Sequence, residues 1–244
     1  MAHNPSRYAV VQSTAVPPSV AQLRDAFKVL PNLVDADASS LAKDGFGIII
    51  DSLSRSDAEV LTSALSKLGA RVEIVCQDDF YSLPRPRRIR RLELGPEHFT
   101  FQDAMGRQTV VAWSHVVIVA AGRVYLTEFT SVQPNVDIGL PITTIQDGAK
   151  EERNLRLLLQ LVLDTEPICL RLIIDDHLWP RSMDPASREP HFLSEIRHVC
   201  QHATFARLNR GAEAVRDRGT AINYPSKHAF EEEIIWLLWR HAGA

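Results

Sequence analysis

Residues 155–174 read LRLLLQLVLDTEPICLRLII, and their periodicity decides the fold class. Leu155, Leu157, Leu159, Leu161 and Leu163 recur at every second position. A helix would scatter them around its axis, whereas a strand lines them along one face. Asp164–Pro167 is a turn, and Ile168, Leu170, Leu172 and Ile174 alternate on a return strand. Upstream of this hairpin, strand patterning covers Ile89–Leu94, His98–Asp103, Gln108–Trp113, His115–Ala121 and Arg123–Phe129. Pro96, Met105-Gly106 and Gly122 punctuate them. Thr130–Arg153 holds Pro134, Gly139, Pro141 and Gly148 without any period, which predicts a loop excursion or a lid. Downstream, helices are expected near Phe192–Leu208 and over Ala229–His241. Asn209-Arg210-Gly211 between them reads as a helix C-terminus, with glycine as the left-handed residue.

The chain before Pro84 has a different rhythm. Tyr8–Ser13 is a strand candidate, and Ser19 caps a helix over Val20–Leu30 that Pro31 stops. Asp35–Lys43 is a second short helical stretch. Phe46–Leu53, FGIIIDSL, is the nearly continuous apolar run of a buried strand. Ser56 and Glu59 match a capping box for a helix over Asp57–Leu68, which Gly69 ends. Arg71–Val75 is the third strand. Right-handed crossovers would make this a small open sheet with its helices on one side.

These patterns imply a mixed α+β or α/β chain in two domains. Residues 1–84 form the first and residues 85–208 a β-rich second, with residues 209–244 as a C-terminal helical extension. The last strand–helix–strand unit of the first part, closing through Gly69-Ala70, resembles the α/β-plait modules of ferredoxin-like domains. Seven antiparallel strands followed by a helix resemble the pleckstrin-homology (PH-like) superfold in element order. A plain α+β sandwich is the alternative. Neither resemblance implies an activity, because both folds host many.

Hydrophobic residues make up 45% and charged residues 23%, an ordinary globular composition. The net charge of -3 argues against a wholly basic nucleic-acid binder. Residues 1–84 account for all of it, with seven basic and ten acidic side chains against twenty of each in the remainder. Cys76, Cys169 and Cys200 lie far apart with no CxxC, as expected of free thiols in a reducing cytoplasm. The opening MAHNPSRYAV lacks the basic and apolar regions of a signal peptide. The apolar runs Val116–Ala121 and Ile234–Trp239 fall far short of the ~20 residues that span a bilayer, so no membrane partner is expected.

No phosphate-binding P-loop, GxGxxG after a strand, GxSxG, HExxH or EF-hand loop occurs. No catalytic residue, metal or cofactor is therefore assigned. The strongest anomaly is Arg85, Arg87, Arg88, Arg90 and Arg91, five arginines in seven residues. Strand alternation would put Arg88 and Arg90 on one face, with Arg87 and Arg91 on the other. The planar guanidinium fork suits phosphate and other anions. The bland alternative is a solvated strand whose charges discourage sheet association. Glu195, His198 and His202 share one helical stripe that Asp175 and His177 could approach, the alternative of a metal-assisted hydrolase. The apolar face of the same helix points elsewhere, which favours solvent-facing histidines. In the last helix Phe230, Ile234, Trp236 and Trp239 leave little polar surface, so it either wedges between the domains or completes a partner or homodimer interface. The leading functional expectation is a non-enzymatic regulatory or adaptor protein that recognises an anionic small ligand or protein partner. A structural subunit associating through the last helix is the third.

Overall fold

The computed structural model describes residues 7–14, 16–30, 39, 46–80, 82–130, 150–166 and 168–242. They form a mixed α+β structure with a three-stranded sheet, a seven-stranded sheet and, among the described residues, five α-helices.

The small sheet contains β1 (Tyr8–Gln12), β2 (Ile48–Leu53) and β3 (Val72–Cys76) in the order β2-β1-β3. β1 runs antiparallel to both neighbours, so β2 and β3 are parallel to each other with β1 between them. Helices α1 (Val20–Phe27) and α2 (Arg55–Lys67) cover one face, where Leu23, Phe27, Leu61 and Leu65 pack on Val10 and Ile49. Ser19 makes the expected cap, as a capping box with Gln22. The α2 cap falls two residues earlier than Ser56: the Ser54 hydroxyl accepts from Asp57 N at 3.1 Å. Ser54 is still extended (φ -66°, ψ 158°), so the helix starts as soon as β2 ends. The helix expected at Asp35–Lys43 lies, apart from Ser39, outside the described residues.

The large sheet has the order β10-β7-β8-β9-β4-β5-β6. Its strands are β4 (Arg87–Leu94), β5 (His98–Asp103), β6 (Gln108–Ala112), β7 (Val116–Thr130), β8 (Lys150–Leu163), β9 (Cys169–Ile173) and β10 (Arg207–Leu208). The β8 alternation is as expected: Leu157, Leu159, Leu161 and Leu163 join the main core with Phe99, Phe101 and Phe192. Leu158 and Val162 point the other way into a second core, so this strand is covered on both faces.

Three features differ from the strand pattern. The strands expected at His115–Ala121 and Arg123–Phe129 are one strand, β7, that starts at Val116 and runs straight through Gly122. Gly122 is needed for space, because a Cβ there would lie 2.5 Å from the Tyr224 ring. The seventh strand is instead β10, two residues parallel to β7. Finally, β4 pairs with β9 in parallel, so the sheet is mixed rather than wholly antiparallel. The β4–β5–β6 and β7–β8–β9 meanders are joined along that seam. β7 reaches Thr130 and β8 begins at Lys150, so the expected excursion is strand at both ends, and residues 131–149 lie outside the described residues.

Helix α3 (Pro185–His202) begins earlier than its periodicity indicated, with Pro185 at the first helical position. Helix α4 (Arg210–Arg218) was hidden by the reading of Asn209-Arg210-Gly211 as a C-terminus. Asn209 is instead its N-cap, with the side chain accepting from Ala212 N. Helix α5 (Lys227–Ala242) supplies Phe230, Ile234, Trp236 and Leu237 to the second core. There they meet Ala9, Val11 and Val75 of the small sheet and Ile118 and Ala120 of the large one. The Trp236 indole N–H donates to the Gln12 carbonyl at 3.0 Å, tying α5 to β1. Among the described residues no helix is long and apolar enough to cross a membrane.

Candidate functional site

The arginine-rich strand carries a bulge. Ile89 pairs with Asp103 and Arg91 with Gln102, leaving Arg90 as the extra residue. Ile89 and Leu92, three positions apart, are therefore both buried. Arg90 and Arg91 oppose the single Gln102, so Arg91 joins Arg88 and Arg90 on the exposed side. The expected grouping of Arg91 with Arg87 does not hold. Arg87 turns to the other side and bonds Asp103, a carboxylate only 4% exposed that also accepts from Arg107 Nε at 2.9 Å and Met105 N at 2.9 Å. Burial would raise the Asp103 pKa, but the bonds from Arg87, Arg107 and Met105 outweigh it and hold the carboxyl well below the usual range.

The exposed arginines have looser partners. Arg88 approaches Asp176 at 3.6 Å and Arg91 approaches Glu93 at 3.1 Å, all four side chains being well exposed. Arg85 and Arg90 are exposed and have no carboxylate partner among the described residues. The result is an open, cation-rich face with one locked arginine behind it.

The histidine stripe assembles only in part, at Glu195 and His177. His198 is exposed, and His202 stacks on Trp113 with ring centroids 5.3 Å apart. Asp175 is bound by Arg156 at 2.9 Å and Asp176 faces Arg88. The His177 side chain does approach the stripe and is buried beside Glu195, with Nε2 at 3.1 Å from Oε2 and its ring stacked 4.1 Å from Trp179. His191 approaches the same carboxylate at 3.6 Å. Among the described residues no group of three His, Cys, Asp or Glu side chains could hold a metal ion. Asp175, His177, His198 and His202 thus do not form the cluster expected of a hydrolase.

Of the last helix, Phe230, Ile234 and Trp236 are spent inside the chain. Trp239 is half-buried and meets Phe80 edge-on at 6.4 Å. The acidic residues at its start do more than suit a helix N-terminus. Glu231 accepts from the buried Arg171 at 2.9 Å, and Arg171 Nε donates to Gln160 at 2.8 Å. Glu233, 1% exposed, accepts from Arg210 N at 2.7 Å, Arg210 Nε at 3.2 Å and the Tyr224 hydroxyl at 2.8 Å. Asn209 Nδ2 donates to Tyr224 Oη at 2.8 Å, and Asn209 Oδ1 accepts from Ala121 N at 2.9 Å. Burial, followed by the charge and hydrogen bond of Glu233, raises the Tyr224 pKa far above its ordinary value, so the phenol stays a donor. This latch joins β7, α4 and α5 with its charged members satisfied internally, which marks it as structural. Sequence reading missed it because its bonded members are 9 to 88 positions apart. The one local signal was an acid, Glu233, directly before the apolar run Ile234–Trp239.

Comparison with protein-family models, with curated proteins and with solved structures finds no match in any of the three. The class that the fold defines is a mixed α+β chain with two sheets.

Proposed function

We propose that this chain is a non-enzymatic binding protein, of regulatory or adaptor type, that recognises an anionic partner through the exposed face of β4. The observation that carries this reading is the placement of Arg88, Arg90 and Arg91 on one open side, with Arg85 exposed just before the strand. The exposed pairs Arg88–Asp176 and Arg91–Glu93 are each worth only ~0–1 kcal/mol, so an incoming phosphate can displace the carboxylates. Guanidinium groups then offer parallel donors to its oxygens. The chemistry fits a phosphorylated small ligand or a phosphorylated segment of a protein. In this reading residues 1–84 act as an α/β-plait-type module and residues 85–208 as a PH-like module in which six strands precede the helix and the short parallel β10 follows it. Residues 209–244 are its helical extension. The three free cysteines support a cytoplasmic setting.

Isothermal titration with inositol hexakisphosphate and with a phosphoserine peptide tests the proposal. Saturable heat is expected with at least one of them. It should weaken roughly tenfold or more in Arg88→Glu/Arg90→Glu and fall as salt is raised. Absence of heat with both probes, or heat untouched by the double reversal, contradicts it.

A further inference from the structure

A cleft adjoins the latch, whose Arg210 and Glu233 form part of its lining. It has a volume of about 410 Å³ and opens where Phe46, the start of α4 and the C-terminal half of α5 meet. Its walls include Phe46, Trp236 and Leu237 on the apolar side and Arg207, Arg210 and Arg240 on the cationic side. The arginines are held in place by rings and backbone. The Arg210 guanidinium lies 3.7 Å from the Phe46 ring centroid, and that of Arg240 lies 5.1 Å from the Trp236 centroid. Arg207 Nη2 donates to the Arg240 carbonyl at 3.2 Å. Arg210 has a carboxylate partner in Glu233, whereas Arg207 and Arg240 have none among the described residues.

The acids of the cleft do not cancel this charge. Glu233 is already committed to Arg210 and Tyr224. Glu213 stands at the exposed rim, where partial desolvation, with the Glu233 charge adding to it, raises its pKa while Arg216 opposes. Two stacked or anchored cations thus face a cleft with aromatic and aliphatic walls. Its volume falls in the range of about 300–1,000 Å³ common for small-molecule sites, which combine apolar walls with a few fixed polar groups.

We propose that this cleft binds a small organic anion, in which a carboxylate or phosphate group is joined to a planar apolar body. The anionic group sits between Arg207 and Arg240, and the planar body lies along Trp236, Leu237 and Phe46. Because Phe46 precedes β2 while Arg207 and Arg240 belong to the C-terminal elements, an occupant braces the two sheets against each other through α5.

Calorimetric titration with phenyl phosphate, phenylacetate and inorganic phosphate at millimolar concentration tests the site and separates its two anion sources. Saturable binding of either phenyl compound, tighter than that of inorganic phosphate, is expected. Arg207→Gln and Arg240→Gln should each weaken it roughly tenfold with an unchanged melting temperature in the absence of ligand. Binding should survive Arg88→Glu/Arg90→Glu, which distinguishes this cleft from the β4 face. No binding of either phenyl compound, or binding that neither glutamine variant alters, overturns the proposal.

Discussion

Strand β4 and helix α5 are the two most unusual stretches of the sequence, and the fold uses them in opposite ways. β4 is loaded with arginine, and the bulge at Arg90 turns three of its cations outward. α5 is apolar on most of its circumference, and Phe230, Ile234, Trp236 and Leu237 pack between the sheets, with only an edge of Trp236 and Leu237 left on the cleft beside Arg240. Even the acids of α5 are drawn in, Glu231 by Arg171 and Glu233 by Arg210 and Tyr224. The oddity of α5 is thus explained by the chain's own packing, while that of β4 is explained only at Arg87. Unusual composition marks a site most credibly where the fold makes no use of it.

The sharpest way to break this contrast is Trp236→Ala. Loss of the ring, the bond to Gln12 and the contact with Phe46 should cost ~3–5 kcal/mol, read as a drop in denaturant midpoint. A small change would mean that α5 is not the wedge described. Tyr224→Phe is the next largest, at ~1–3 kcal/mol, because the buried Glu233 and Asn209 lose a shared partner. Behind β4, the Asp103 carboxyl at the end of β5 is held below its ordinary value of 3.8, so its bonds to Arg87 and Arg107 stabilise the protein at neutral pH. That contribution is lost as the pH falls below 3.8, and Asp103→Asn should flatten this acid limb of a stability–pH curve. Smaller still, Arg88→Glu/Arg90→Glu should change stability by only about 0.5 kcal/mol, since both side chains are exposed. A large loss there would make the arginine face structural. Thiol labelling gives an independent view of the packing. Burial pushes Cys169 up to about 11 and Cys200 up to about 12, so only the half-buried Cys76 should react in the folded protein.

Much of the fold was legible because alternation and capping are local. Leu155–Leu163 announced β8, Phe46–Leu53 announced β2, and Ser19 marked the start of α1. Apart from the local shifts of the Ser54 cap and the α3 start, the errors share one cause, the dependence of a local signal on a distant partner. Gly122 looks like a break until the Tyr224 ring occupies the space beside it, 102 positions along the chain. Gly211 looks like a helix end, yet a Cβ there would lie 1.7 Å from the Ala121 carbonyl, so it is the close approach of α4 to β7 that requires glycine. The arginine run was visible as composition, but its division into one locked and three outward side chains hangs on a bulge opposite Gln102 that no local pattern specifies. The histidine stripe formed only in part: His177 does reach Glu195, but His202 is taken by Trp113 and His198 stays exposed.

The account rests on the difference between committed and open arginines, and nuclear magnetic resonance of the arginine Nε–Hε groups measures it most directly. During titration with inositol hexakisphosphate, the signals of Arg88, Arg90 and Arg91, with Arg85 beside them, should move together and saturate. Those of Arg87, fixed on Asp103, and of Arg171, fixed on Gln160 and Glu231, should stay in place. Uniform small shifts across all arginines, or shifts at Arg87 and Arg171 without the exposed group, would contradict the assignment of β4 as the binding face.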